Sequence, residues 1–388
     1  MKVSILTPDL SHNCLGRAYL LAKIVQRLYE VEIVGPIFGD RIWEPLAKLD
    51  DIEYKFVKVR GKLKPYWQLK KLLNEITGDV IYATKPLFTS FGIGLLKKLS
   101  SKKPLILDID DWELGFVKEN YRSLSLANRF AFLAYSTIVP YGIGSYWNRL
   151  ICEKLIPLAN EITVSNSFLQ KRFGGTMIWH ARDTDAFDPR KFDKNSLREK
   201  YGIGKNKKVV MFLGTPRPYK GLEDLIKAVS LIQNRNILLI LVGIGQDEYS
   251  QKLAKIGKET LRNRFKPFGL QPFEKVPEFL AMSDVVVIPQ RKNFATVGQV
   301  PSKVFDAMAM AKPVIATAVS DLPEILDGFR WHVEAGNIKQ LAETIQFVVN
   351  TEEAKEKGQK ARQKCIAQYS WDALERVLTK MLEKYNNV

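Results

Sequence analysis

Along almost the whole chain, short uninterrupted runs of apolar, β-prone residues alternate with stretches whose apolar positions recur every three to four residues. Strands buried on both faces read as continuous Val/Ile/Leu runs and their covering helices as amphipathic, so the alternation predicts parallel sheets flanked by helices. Two series stand apart. The first predicts strands near Val3–Thr7, Val31–Val34, Ile52–Val59, Val80–Thr84, Leu105–Asp108 and Glu161–Val164, with helices near Leu15–Tyr29, Tyr66–Ile76 and Phe88–Leu99. The second predicts strands near Val209–Leu213, Ile237–Val242, Arg264–Pro267, Val285–Ile288 and Pro313–Ala316, with helices between them. A turn-rich link with Asp183, Asp185, Asp188-Pro189 and Asp193 separates the series. The expected organisation is therefore α/β: a first Rossmann-like domain over 1–188, a second over 189–365, and a helical tail over 366–388. Such domains meet ligands at the carboxyl ends of their strands, so a cleft between the two is the expected active site.

With 388 residues, 46% hydrophobic and 26% charged, the chain has the composition of globular protein. Its start, Met1-Lys2-Val3-Ser4-Ile5-Leu6-Thr7-Pro8, reads as a strand ending in a turn, without the apolar core and cleavage site of a signal peptide, which predicts a cytoplasmic protein. Cys14, Cys152 and Cys365 are far apart, as are His12, His180 and His332, so neither a disulfide framework nor a metal cluster is expected.

The net charge of +17 implies an anionic partner. Lys55, Lys58, Arg60, Lys62, Lys64, Lys70 and Lys71 fall between Tyr54 and Lys71 with no acid among them, interleaved with Phe56, Tyr66 and Trp67. From Phe130 to Asn148 run nineteen uncharged residues. Pro140, the glycines and the hydroxyls argue against a spanning helix; the aromatic content suits a membrane interface, a cleft cover or a buried segment. No zinc finger, basic zipper or RNA-binding motif points to nucleic acid.

Candidate chemistry collects at strand ends. After the first strand, Gly16 and Arg17 open a helix where backbone can approach a ligand. In the second series, Arg217 and Lys220 sit on a loop leading into Leu222-Glu223-Asp224-Leu225, where two cations and free amides can hold a diphosphate. Gly243, Gly245 and Phe268-Gly269-Leu270 follow strands and let backbone lie against a flat ring such as a nucleobase. Between Pro301 and Ala316, Ser302 is a good N-cap, Lys303 follows it, and Asp306 lies one turn inside the helix, placed to accept ribose hydroxyls. In the first series a strand ends in Asp108, Asp110, Asp111 and Glu113. Asp108-Ile109-Asp110 also matches the three-residue pattern by which another fold holds Mn²⁺, a pattern common by chance.

The Lys220-Gly221 loop, Val242-Gly243-Ile244-Gly245, Ser283 to Pro289, Pro301 to Ala316 and Asp321-Leu322-Pro323-Glu324-Ile325 together resemble the retaining glycosyltransferases of GT-B architecture, of the family 4 type. The resemblance covers nearly the whole chain, including His180 to Pro189 as a domain-crossing segment and the tail around Trp371 as closing helices. It implies two Rossmann-like domains facing each other across a cleft, and transfer of a sugar from a nucleotide diphosphate sugar to a glycan or lipid-linked acceptor, with retention and without metal or other cofactor. By position, Arg217 and Lys220 would neutralise the diphosphate and Asp306 would bind ribose. Asp110 would take the place of a histidine that contacts donor hydroxyls, and Lys58, Arg60, Lys62, Lys64 and Trp67 would face acceptor or anionic membrane at its inner face. The chain departs from the family pattern in two places: Gly298 stands eight positions before Asp306, where a sugar-contacting glutamate is usual, and Thr215 stands where the diphosphate arginine normally follows Gly214. Gly298 favours the competing reading, a non-catalytic nucleotide-sugar-binding or basic membrane-adaptor protein.

Overall fold

The computed structural model describes residues 1–49, 51–60, 65–139 and 144–386. They form two contact units. One comprises Met1–His180, Val297–Gln299 and Leu374–Val388; the other comprises Ala181–Thr296 and Val300–Ala373. Each is a parallel sheet covered by helices, the Rossmann-like pair expected from the alternation of apolar runs.

The first unit holds β1 (Lys2–Leu6), β2 (Glu30–Ile37), β3 (Glu53–Lys58), β4 (Val80–Thr84), β5 (Leu105–Ile109), β6 (Glu161–Val164) and β7 (Thr176–Met177). They lie in the order β3-β2-β1-β4-β5-β6-β7, so the winding reverses between β1 and β4. That reversal is where a doubly wound sheet opens a crevice for ligand. Ile5, Ile33, Ile81, Tyr82, Leu105 and Leu107 have no exposed surface and form the sheet's core. One carboxylate is buried among them. Glu32 accepts Ser4 Oγ at 2.5 Å and the Thr77 amide at 2.8 Å, with Lys55 Nζ at 2.8 Å. Burial alone would raise its pKa, but Lys55, Ser4 and Thr77 outweigh it and hold it near about 2.

The second unit holds β8 (Lys208–Leu213), β9 (Ile237–Ile244), β10 (Phe265–Gly269), β11 (Val285–Ile288), β12 (Val314–Thr317) and β13 (Arg330–Val333), in the order β10-β9-β8-β11-β12-β13. Its reversal lies between β8 and β11. Every residue of β9 is buried, which explains its eight-residue apolar run.

Sequence pattern missed β7 and β13. Both are edge strands, β7 only two residues long and β13 reading Arg-Trp-His-Val, so neither shows the run of a strand buried on both faces. It also missed helices Glu113–Ser123, Leu126–Ile138, Tyr146–Leu155 and Ser167–Phe173. The uncharged stretch enters two of these. Leu126 and Phe130 are each 73% exposed and Ile138 70%, so Leu126–Ile138 turns apolar side chains outward and lacks the polar face that marks a surface helix. No described helix is long and apolar enough to cross a membrane.

Candidate functional site

In the second unit, the loop after β8 meets the end of β9 backbone to backbone. A Cβ on Gly243 (φ 106°) would stand 2.8 Å from the Gly214 carbonyl oxygen, which only glycine permits. The Lys303 stem runs past Gly214, and its Nζ lies 3.1 Å from Asp306 Oδ2. Thus Gly214, Gly243, Lys303 and Asp306, distant in sequence, converge at the carboxyl edge of the sheet. The Arg217 charge bears on Asp247, beside Gly245, and Asp247 caps the helix Glu248–Leu261 through the Ser250 amide at 3.0 Å. Lys220 Nζ donates to the Thr215 carbonyl at 2.7 Å, which folds the loop into a turn just ahead of the helix Leu222–Leu231. Gly269 and Leu270 are exposed, whereas the Phe268 ring packs with Phe279 at 5.0 Å and Tyr201 at 5.7 Å.

Two expectations about the Pro301–Ala316 block need correction. Ser302 precedes the helix Lys303–Ala309, but it has helical backbone angles and makes no side-chain cap bond, because Pro301 and Ser302 already turn toward the helix through carbonyl bonds to Val304 and Phe305. Nor does Asp306 keep its charge for a ligand alone. Arg182 Nε donates to Asp306 Oδ1, and its second terminal nitrogen reaches the Ser302 carbonyl at 3.3 Å. Burial penalises the Asp306 anion, yet Arg182 and Lys303 hold its pKa below the usual carboxylate range. Arg182 is itself fixed by a bridge to Ser370, its amide donating to the Tyr369 carbonyl at 2.9 Å. Sequence reasoning missed Arg182: a turn-rich link gives no sign that its arginine is buried.

In the first unit the acidic run at the end of β5 divides in two. Asp108 accepts Arg17 Nε and a terminal nitrogen, both at 2.8 Å, and Thr163 Oγ1 at 2.8 Å. This bidentate pair is wholly buried, so Arg17 and Asp108 are part of the sheet's internal structure. Asp110, Asp111 and Glu113 instead surround Lys85, whose Nζ lies 2.8 Å from Asp110 Oδ1, 2.5 Å from Asp111 Oδ2 and 3.0 Å from Glu113 Oε1. Burial pushes Asp111 up to about 6, against the pull of Lys85. Lys85 was not foreseen, although a lysine directly after an apolar strand, in Thr84-Lys85-Pro86, is a legible signal. Gly16 lies in the first turn of the helix Leu15–Val25, and a Cβ there would make an ordinary contact with Trp43 at 3.7 Å.

Gly298 belongs to this first unit. Its carbonyl accepts the Trp112 amide at 3.1 Å, and an added Cβ would stand 2.5 Å from Trp112 Cβ and 3.2 Å from Phe168. A glutamate here would crowd the Trp112 Cβ and the Phe168 ring. The neighbouring Gln299 donates from Nε2 to Asp111 Oδ1 at 2.8 Å, another contact absent from the sequence reading.

Of the basic aromatic group, Lys58 ends β3 and is exposed, Arg60 is exposed with its backbone bonded to the Gln68 amide, and Trp67 is 70% exposed on the helix Pro65–Glu75. Lys62 and Lys64 lie outside the described residues. A cavity of about 220 Å³ opens beside Trp67, lined by Leu69, Leu73, Phe88 and Leu96.

Residues 193–367 match the family "Glycosyl transferases group 1". Among curated proteins, the chain is 25% identical over 282 residues to the "Putative colanic acid biosynthesis glycosyl transferase WcaI" of Escherichia coli K12, an alignment covering 69% of this chain and 65% of that one. Among solved structures, sucrose-phosphate synthase from Thermosynechococcus elongatus superposes with a TM-score of 0.74 at 16% identity, covering 99% of this chain and 98% of that one. Anabaena Alr3699/HepE, solved with UDP-glucose, superposes at 0.75 and 18%, covering 99% and 100%. At such identity the likeness is one of fold, and that fold is GT-B. The group 1 domain and these neighbours together support a GT-B glycosyltransferase.

Proposed function

We propose that the protein transfers a sugar, with retained anomeric configuration and without a metal, from a nucleotide diphosphate sugar to a glycan or lipid-linked acceptor. The observation that carries this reading is the convergence of Gly214, Gly243, Lys303 and Asp306 with the Arg217–Lys220 loop at the carboxyl edge of the second sheet. Backbone pressed against backbone leaves a surface for a flat base, Asp306 and Lys303 suit a ribose, and Arg217 and Lys220 suit a diphosphate. Asp110 in the first unit can accept a donor hydroxyl or stabilise positive charge at the anomeric carbon.

In the favoured chemistry the acceptor oxygen attacks the anomeric carbon on the face the diphosphate leaves. The carbon–oxygen bond to the β-phosphate breaks, the acceptor proton passes to that phosphate oxygen, and Arg217 and Lys220 offset the charge that accumulates there. Product is a nucleoside diphosphate and the glycosylated acceptor. Two protein cations take the part that a divalent ion plays elsewhere, so turnover is expected to survive EDTA; activity lost in EDTA and restored by Mn²⁺ would overturn metal independence.

Exposed Lys58 and Arg60, Trp67 at the mouth of an apolar cavity and the outward face of Leu126–Ile138 support a peripheral position on anionic membrane. A lipid-linked acceptor and a place in polysaccharide or glycolipid biosynthesis follow from that position. The deciding experiment is a panel of nucleotide sugars read by thermal shift and by nucleoside-diphosphate release with and without lipid acceptors. A stabilising donor that is consumed supports the enzyme. Binding without turnover across all acceptors selects a nucleotide-sugar sensor, which the glycine at 298 favours.

A further inference from the structure

Lys85 commits both its backbone and its side chain to the acidic run at the end of β5. Its φ is 64°, a left-handed angle that costs a residue with a Cβ about 1 kcal/mol. The chain keeps this angle through three bonds: the Lys85 amide donates to the Asp108 carbonyl at 2.7 Å, and the Lys85 carbonyl accepts the Leu87 amide at 2.8 Å and Ser90 Oγ at 3.0 Å. The result turns the ammonium inward, 8% exposed, between Asp110, Asp111 and Glu113.

Other described groups hold the carboxylates in turn. Arg149 Nε, from Tyr146–Leu155, holds Glu113 Oε2 at 3.2 Å, Gln299 holds Asp111, and the Arg17–Asp108 pair closes on itself. Cys14 and Asp9 lie on the loop after β1, and the Cys14 thiol, raised by its own burial, also feels the Lys85 charge. Counting Lys85 and Arg149 against Asp110, Asp111 and Glu113, the group carries one negative charge in excess. Such a group is useful to a reaction that develops positive charge on a sugar only if the excess is held at a defined oxygen.

We propose that Lys85 is a positioning residue, holding the Asp110 and Asp111 carboxyls in one geometry so that the excess negative charge is presented to the donor sugar. This rests on the assignment of Asp110 to the transfer site. A backbone strained to aim one lysine at three carboxylates is what positioning requires and what packing alone does not.

The test uses the intact chain and three probes, UDP-glucose, UDP-N-acetylglucosamine and GDP-mannose, with nucleoside-diphosphate release measured from pH 5 to 9. A second readout is the titration of γ-¹³C-labelled aspartate by NMR, which needs no turnover. Lys85→Met should slow release about 30-fold or more with the donor KM within threefold, and should raise the Asp111 titration midpoint by about one pH unit, because a nearby cation has been removed. Lys85→Arg, which keeps the charge and changes its reach, should leave the midpoint in place while still lowering kcat.

Midpoints unmoved in Lys85→Met, or a rate loss that tracks only the loss of folded protein, overturn the proposal. If Lys85→Met does not fold, Lys85→Arg decides it: kcat unchanged from the wild type in that folded variant overturns the proposal. Asp110→Asn separates the two layers. Release unchanged in Asp110→Asn removes Asp110 from the site, whereas release lost there but kept in Lys85→Met overturns the role of Lys85 alone. Absence of release by the wild type with all three sugars counts against the enzymatic reading and leaves Lys85 to the NMR titration.

Discussion

Lys85 and Lys220 both follow a parallel strand that borders a reversal of winding, β4 in one sheet and β8 in the other, yet they are treated in opposite ways. Lys85 is buried and ringed by three carboxylates, so its unit neutralises it internally. Lys220 is half-buried and its ammonium rests on a neutral carbonyl, with Arg217 on the same loop. A cation already surrounded by anions organises its neighbours, whereas the Lys220 ammonium meets a carbonyl and the face of the Phe212 ring. The first unit thus holds a lysine inside a fixed acidic group, and the second carries two cations on one loop.

The largest effect should come from a third arrangement that mixes the two, the Arg182–Asp306 pair. Asp306→Asn strands a buried guanidinium and should cost about 3–5 kcal/mol of stability in denaturant unfolding. Adding Arg182→Met should recover part of that loss. Unchanged stability with lost nucleotide affinity would instead give the acid wholly to the ligand. Next, Lys220→Ala and Arg217→Ala should each lower kcat/KM by about 2–4 kcal/mol of transition-state stabilisation while the fold persists. Turnover within threefold of wild type in both would erase the contrast between the two lysines.

Gly298→Glu, which restores the usual family residue, should lower stability by about 1–3 kcal/mol through overpacking against Trp112 and Phe168, and should not raise activity. A more active Gly298→Glu protein would show that the backbone there yields readily. The smallest effect concerns pH. Asp111 is raised in the folded chain, so its contribution to stability is full below about pH 4 and is lost as pH rises through about 6. Asp111→Asn should therefore gain about 1–2 kcal/mol over wild type at pH 7.5 and little at pH 4.5, measured by thermal melts at both values. An equal gain at the two values would mean that Asp111 does not titrate in this range.

What could be read from sequence divides along physical lines. Central strands such as β9 and β4 were legible because burial on both faces writes itself as an unbroken apolar run. The edge strand β13 and the outward-facing helix Leu126–Ile138 were not, because neither carries the periodicity that one-sided burial produces. In the candidate site, residue types at strand ends were visible, including Asp306, Lys220 and Asp110. Their partners were not: Arg182 is 124 positions from Asp306, and Lys85 is 26 from Asp111. Gly298 could be seen as a departure from the family pattern, but its reason, the Trp112 Cβ and Phe168 ring against it, needed coordinates.

The chain passes between its two contact units at His180/Ala181, Thr296/Val297, Gln299/Val300 and Ala373/Leu374. During synthesis the first unit cannot finish when its sheet has emerged from the ribosome. Its acidic group lacks Gln299 until that residue has been made. Glu375, which pairs with Arg27 at 2.7 Å, and Lys384, which pairs with Glu161 at 2.6 Å, arrive only after the whole second unit has been translated. Emergence of the first unit's sheet therefore precedes completion of its charge pairs by some 200 residues, at least ten seconds at ordinary elongation rates. A cut near residue 180 would leave the first half without Gln299, Glu375 and Lys384 and their partners in that unit.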